Sequence, residues 1–108
     1  MMPMIHKGDV YFTRKYNDPT AARARPVVVI SGNVHNRDSD SVIVAYVHAG
    51  RIPAGAPSVP IGCLRQNSCV LLDRVATLTK DRLTRKAGTV TKEELIGIES
   101  TLCQVLEL

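Results

Sequence analysis

Two side chains that could act together on a phosphate stand at the ends of two apolar segments. Arg25 precedes Pro26 and the run 27–31, and His48 follows directly on the run 42–47. A guanidinium presents a planar fork of donors that matches two phosphoryl oxygens, whereas an imidazole titrates near neutral pH and can move a proton. If the two runs are neighbouring strands, this pair predicts cleavage of a phosphodiester, with Arg25 stabilising charge and His48 transferring the proton.

The segments that must position this pair have the composition of β-strands. Both runs are continuous and rich in β-branched residues, which is typical of central strands covered on both faces. Pro26 suits the start of a strand. A first strand with alternating residues should be half-buried, and a last, long strand should be bent or bulged at Asp73 and Arg74. The predicted strands are residues 8–13, 27–30, 42–47, 59–62 and 68–79.

The remaining segments predict loops and one helix. Turn-forming residues fill 13–24, 32–41 and 49–60, of which the second is either a turn or one short helical turn. Thr91 and Glu94 have the spacing of a capping box. Apolar residues then recur at helical spacing, which predicts an amphipathic C-terminal helix. These apolar residues are Leu95, Ile98, Leu102, Val105 and Leu106.

Length and composition limit the class of protein. A chain of 108 residues predicts one domain over 1–108, and its core must be aliphatic because the chain holds one Phe and no Trp. The net charge of +4 favours acidic partners. Since no apolar stretch is long enough for a signal peptide or a membrane span, we expect a soluble, cytoplasmic protein with no membrane partner.

The spacing of cysteine and histidine predicts no metal site. Cys63, Cys69 and Cys103 are an odd number of thiols without a C-x-x-C pair, so we expect free thiols in a reducing compartment. The three histidines share no spacing typical of metal ligands. We therefore expect no metal and no other cofactor.

Six short segments, weak one by one, are specific in their order and spacing. They are 8–11 (GDVY), 25–31 (RPVVVIS), 36–37 (NR), 42–45 (VIVA), 70–73 (VLLD) and 88–95 (GTVTKEEL). Together they resemble the MazF/PemK-type toxin family, the RNA-cleaving toxins of bacterial toxin–antitoxin pairs. The resemblance runs over nearly the whole chain.

This resemblance implies a fold, an activity and partners. The expected fold is mainly β with α, an SH3-like curved barrel with a C-terminal helix. The expected protein is a homodimer that cleaves single-stranded RNA without metal, is neutralised by an acidic antitoxin, and binds DNA in complex with that antitoxin. Arg25 matches the key arginine of the family, whereas His48 stands where the family commonly has Thr or Ser. Residues 17–24 replace a Gly-Ser-Glu-Gln-Gly-like segment, and Ala76 replaces a frequent Arg.

Two other functions are compatible with the same fold. A CcdB-like toxin binds a protein target such as gyrase and cleaves nothing, and fold alone does not separate it from a nuclease. Such toxins use the end of the C-terminal helix, often with a Trp that residues 104–108 lack. A catalytically inactive relative would only bind RNA or an antitoxin.

Further side chains are candidates for contact with RNA. Tyr16 either stacks on an unpaired base or packs in a turn, and Asn36 either caps its turn or contacts RNA. Arg37 is expected to bind a phosphate, whereas Asp73 orients Arg25 or pairs with the residue after it, because an ordinary carboxylate is too acidic to be a base. The predicted RNA-binding residues are Arg23, Tyr16, Asn36, Arg37, Arg51 and Asp73. Arg65, Arg82, Arg85 and Lys86 either follow the RNA backbone or form a solvated face.

Overall fold

Residues 4–14 and 25–108 of the computed structural model are described here, and they form one antiparallel sheet with two helices. The strands lie in the order β4-β5-β3-β2-β1-β6. They are β1 Asp9–Thr13, β2 Arg25–Val29, β3 Ser41–Ala49, β4 Ser58–Ile61, β5 Ser68–Thr79 and β6 Leu83–Thr89. The helices are α1 Asn33–Asp38 and α2 Lys92–Leu106, and a 3₁₀ turn, Lys80–Arg82, joins β5 to β6.

The sheet is buried on both faces in its centre, as the β-branched runs predict. Val27, Val28 and Val29 of β2 are completely buried, and they alternate between two apolar clusters. One cluster lies between the sheet and α2 and includes Val28 and Ile98. The other lies on the opposite face and includes Val27 and Val29. The expected curved β fold with a C-terminal helix is confirmed, although the six strands form an open sheet with β4 and β6 at its edges.

The predicted bulge in the long strand is confirmed. Ala45 of β3 pairs with Val75 of β5, but Val47, only two residues further, pairs with Val70. Four residues of β5 therefore face one residue of β3, Tyr46. This irregularity contains Asp73 and Arg74, and it bends β5 so that its first part also pairs with β4.

The C-terminal helix α2 begins with the predicted capping box. The backbone N–H of Glu94 donates to Thr91 Oγ1 at 3.1 Å, and Glu94 Oε1 accepts from the Thr91 N–H at 2.8 Å. Glu94 Oε2 also accepts from the N–H of Gly62, at 2.9 Å, which ties the start of α2 to the segment after β4. Ile98 is fully buried, whereas Leu106 in the last turn is 56% exposed, so the apolar face is covered only in its first part.

One prediction about the strands is wrong, and one strand was missed. The first strand is not half-buried, because β1 lies between β2 and β6 and both its faces are covered; even Asp9 and Thr13 are buried. Strand β6 was not predicted at all, since most of its residues are polar and exposed. No helix among the described residues has the length and apolar character that crossing a membrane requires.

Candidate active site

Arg25 is the first residue of β2, and two contacts hold it at the end of the sheet. Its carbonyl oxygen accepts a hydrogen bond from Thr13 Oγ1 of β1 at 3.1 Å. Its guanidinium lies over the ring of Tyr46 on β3, 5.4 Å from the ring centroid. Arg25 is exposed, so the guanidinium is positioned by an aromatic face while its donors remain available to a phosphate.

His48 lies two residues after Tyr46 on β3, and its ring has a defined orientation. Nε2 lies 2.8 Å from the carbonyl oxygen of Arg51. Because a carbonyl can only accept, Nε2 must carry the hydrogen, and in the neutral ring Nδ1 is then the unprotonated nitrogen. The imidazole is half-buried, and its Nδ1 can accept a proton.

Strand pairing brings Arg25 and His48 to the same part of the sheet. Val27 pairs with Tyr46 in the antiparallel register of β2 and β3. Continued by two residues, that register puts Arg25 opposite His48, and residues two apart on a strand share a face. The cation and the imidazole therefore end neighbouring strands on one face, as the sequence predicts.

Arg51 and Asp73 are placed differently with respect to this pair. Arg51 is exposed and lies beside His48 through the hydrogen bond of its carbonyl. Asp73 is exposed at the bulge of β5 that faces Tyr46. Within residues 4–14 and 25–108, no hydrogen bond or ion pair joins Asp73 to Arg25 or to its neighbour Arg74. Arg23 and Tyr16 lie outside the described residues.

Asn36 and Arg37, two of the predicted RNA-binding residues, lie far from Arg25. Both belong to α1, which follows the opposite end of β2, about 13 Å along the strand. The Asn36 side chain is 2% exposed, donates to the Ser31 carbonyl at 3.0 Å and accepts from Ser31 Oγ. Its amide is thus hydrogen-bonded inside the protein. The structure therefore supports a structural role for Asn36 in its turn over a contact with RNA.

Arg37 is exposed and makes an ion pair with the next residue. Its Nε donates to Asp38 Oδ1 at 2.8 Å, and Nη2 donates to Oδ2 at 3.3 Å. This hydrogen bonding lowers the pKa of Asp38 and raises the pKa of Arg37. A neighbouring carboxylate therefore offsets the charge that was expected to bind a phosphate.

A groove of about 830 Å³ lies beside the Arg25–His48 pair, and the sequence did not predict it. Its walls come from β1, β6 and the segment between β4 and β5, with residues at the ends of β2, β3 and β5. We call it the basic groove, and its principal lining residues are Phe12, Pro26, Ala49, Arg65, Arg85 and Lys86. The backbone of β6 lies close to the segment between β4 and β5, because a side chain in place of Gly88 would bring its Cβ to 3.0 Å from Cβ of Cys63. Cys63 also lines the groove, and burial raises the pKa of its thiol.

Candidate metal ligands are not grouped in the part of the chain that the structure describes. No three side chains of His, Cys, Asp or Glu there are close enough to hold one ion. The described residues that are arranged for chemistry are thus a cation and an imidazole, which can stabilise negative charge and transfer a proton.

Comparison with known proteins gives the family of the chain. Residues 6–106 match the family described as the PemK-like, MazF-like toxin of type II toxin–antitoxin systems. The chain belongs to this family. Endoribonuclease MazF of Staphylococcus epidermidis is 32% identical over 106 residues, which cover 92% of this chain and 88% of that protein. Endoribonuclease EndoA of Bacillus subtilis (strain 168) is 31% identical over 106 residues, covering 92% and 91% respectively.

Solved structures share the fold of this PemK/MazF-like toxin. An endoribonuclease from a mycobacterial species, in complex with its cognate antitoxin, superposes with a TM-score of 0.82 at 26% identity and covers 96% of both chains. MazF of Deinococcus radiodurans superposes with a TM-score of 0.79 at 16% identity, covering 99% of this chain and all of that one. The curved sheet and C-terminal helix are thus shared with structures of the MazF type.

Proposed function

We propose that this protein is the toxin of a type II toxin–antitoxin pair and acts as an endoribonuclease on single-stranded RNA. The observation that carries the proposal is the placement of Arg25 and His48 on one face at the ends of neighbouring strands. The names of the two curated relatives, both endoribonucleases, support the same activity. His48 in place of the family Thr or Ser gives the site a group that can transfer protons near neutral pH.

The arrangement supports an attack by the ribose 2′-hydroxyl on the adjacent phosphorus. His48 Nδ1 takes the proton of the 2′-hydroxyl, the 2′-oxygen forms a bond to phosphorus, and the bond from phosphorus to the 5′-oxygen breaks. The leaving 5′-oxygen takes a proton from the imidazolium or from water. Arg25 donates to the phosphoryl oxygens as negative charge accumulates on them. The products are a 2′,3′-cyclic phosphate, which can be hydrolysed to a 3′-phosphate, and a 5′-hydroxyl.

We assign Arg51 a supporting role at this site. Its carbonyl holds the imidazole through Nε2, and its exposed guanidinium lies close enough along the chain to contact a neighbouring phosphate. Asp73 remains a candidate for RNA contact at the bulge that faces Tyr46. Arg23 and Tyr16 remain candidates on the sequence alone.

An acidic antitoxin and a second copy of the chain complete the proposal. The net charge of +4 favours an acidic protein partner, and the mycobacterial endoribonuclease was solved with its cognate antitoxin.

Exposed apolar side chains such as Val75 and Ile96 leave surface for an isologous contact between two copies. Light scattering at micromolar protein concentration should give the mass of a dimer, and a monomer would contradict this part. Free thiols suit the cytoplasm as its location.

The cleavage assay uses purified protein, single-stranded RNA of mixed sequence and a chelator. We expect cut products ending in 2′,3′-cyclic phosphate and 5′-hydroxyl, because Arg25 and His48 supply the charge stabilisation and the proton transfer. Duplex RNA of the same sequence is the control and should resist. Cleavage that appears only after a divalent cation is added, or products with a 5′-phosphate, would refute the proposed mechanism.

A further inference from the structure

The basic groove contains a contact between an arginine and an aromatic ring. The guanidinium of Arg85 lies over the ring of Phe12, 4.9 Å from the ring centroid. Arg85 is on β6 and Phe12 on β1, and the two residues are paired in the sheet. Phe12 is half-buried, Arg85 is exposed, and both side chains line the groove. Unpaired bases stack on aromatic rings and on guanidinium planes of this kind.

The electrostatics of the groove favour an anionic ligand. Arg65, Arg85 and Lys86 line it, and none of the described lining residues is acidic. Lys86 has an internal partner, because its Nζ lies 3.3 Å from Oδ1 of the buried Asp9. Arg65 and Arg85 make no ion pair within the part of the chain that the structure describes. Two exposed positive charges are thus available to an anionic ligand.

The groove lies at the same strand ends as the site that contains Arg25 and His48, on the other face of the sheet. The residues that follow them in the chain, Pro26 and Ala49, both line the groove. Successive residues of a strand point to opposite faces, so the proposed catalytic side chains and the groove lie on the two faces of the same strand ends. Single-stranded RNA that passes around these strand ends can present a phosphate to Arg25 on one face and a nearby nucleotide to the groove on the other.

We propose that the basic groove is a subsite for one unpaired nucleotide of the RNA, whose base stacks on the Phe12–Arg85 pair and whose phosphate binds Arg65. This proposal rests on the proposed function, since it gives the same substrate a second point of contact. The volume of about 830 Å³ is within the usual range for small-ligand sites and accommodates a nucleotide. The subsite would favour one nucleotide position next to the cut without requiring a particular base.

The test measures binding with RNA that cannot be cleaved. A short 2′-O-methyl RNA lacks the attacking hydroxyl, and each of its nucleotides is replaced in turn by an abasic unit. Fluorescence anisotropy should show one position at which loss of the base raises the Kd roughly 5- to 150-fold, the range expected for a stacked base. Phe12→Leu and Arg85→Lys, separately and together, should reduce this effect at that position and at no other.

Two further variants separate stacking from charge. Arg65→Gln should weaken binding of every oligonucleotide and lower the slope of log Kd against log salt by about 0.7 to 1, while the abasic effect persists. Lys92→Gln removes one cation from the first turn of α2, outside the groove, and should change neither quantity. Arg85→Lys alters only an exposed side chain, so it keeps the test valid if Phe12→Leu fails to fold.

Three outcomes would overturn the proposal. If no position shows an abasic effect, or if the effect is unchanged in all the groove variants, the base does not stack on Phe12 and Arg85. If the variants instead weaken binding of a synthetic Asp/Glu-rich peptide and leave RNA affinity unchanged, the groove belongs to an acidic protein segment. Cleavage is measured separately on unmodified RNA, so a wild-type protein that binds RNA without cutting it refutes the proposed function and not the subsite.

Discussion

Substitution of Asn36 by Ala separates a structural role from the RNA contact that the sequence suggested. The Asn36 amide makes two hydrogen bonds with Ser31, one to its carbonyl and one from its hydroxyl, in a buried position. Ser31 Oγ in turn accepts from the Ile43 N–H of β3 at 3.0 Å. Asn36 therefore joins α1 to the sheet through Ser31, and its loss leaves two buried polar groups of Ser31 short of a partner.

The expected cost follows from these contacts. Two lost hydrogen bonds of about 1 kcal/mol each, with a desolvation penalty of about 1–3 kcal/mol for unsatisfied groups, give a destabilisation of about 3–5 kcal/mol. For a domain of this size, that corresponds to a fall in Tm of about 15–25 °C. Circular dichroism during heating, at one fixed protein concentration, measures the shift.

Arg37→Ala is the matched control on the same helix. Arg37 is exposed and pairs only with Asp38, so the free energy of unfolding should change by no more than about 0.5 kcal/mol. The RNA affinity and cleavage rate of folded Asn36→Ala, measured well below its Tm, should equal those of the wild type. A variant with wild-type Tm and weakened RNA binding would refute the structural assignment and return Asn36 to the RNA surface.

The remaining predictions concern His48 and Cys63. His48→Ala should lose about 10²- to 10⁴-fold in cleavage rate, because the group proposed to transfer the proton is gone, and His48→Thr should lose less. A near wild-type cleavage rate in a folded His48→Ala variant would show that His48 takes no part in catalysis. Burial, with the nearby Glu94 as the second cause, raises the pKa of Cys63, so its thiolate fraction at pH 7 is below that of an ordinary cysteine. Mass spectrometry should find iodoacetamide first on the exposed Cys103, and on Cys63 only as the pH rises; the reverse order would contradict this reasoning.

The elements that the sequence predicted are those whose signal is local. Continuous β-branched runs identify β2 and β3 because central strands must be apolar on both faces. The capping box identifies the start of α2, because Thr91 and Glu94 satisfy each other's backbone amides within one turn. The bulge of β5 is also marked locally, by the charged pair Asp73 and Arg74 inside an otherwise apolar strand. Successive residues of a strand point to opposite faces, so one of the two charges would be buried if the regular pairing continued.

The features that the sequence did not predict depend on contacts between distant segments. Strand β6 has no apolar period of its own, and it is a strand because it pairs with β1, 70 to 80 residues earlier in the chain. The basic groove could not be predicted from the sequence either, because Phe12, Arg65 and Arg85 come from three separate segments of the chain. The burial of Asn36 likewise arises from the way α1 folds back on Ser31, whereas its sequence neighbours are polar.

The most direct test of the proposed function is the cleavage rate of Arg25→Ala beside that of Arg25→Lys and the wild type, on single-stranded RNA in the presence of a chelator. Arg25 is exposed, and its hydrogen bond with Thr13 uses the backbone carbonyl, which the substitutions keep, so all three proteins should fold alike. Loss of a donor to the transition state typically costs about 10²- to 10³-fold in rate, and we expect a loss of that size in Arg25→Ala. Arg25→Lys should recover little, because an ammonium lacks the planar fork. Wild-type turnover by a folded Arg25→Ala variant would remove Arg25 from the active site and contradict the proposed mechanism.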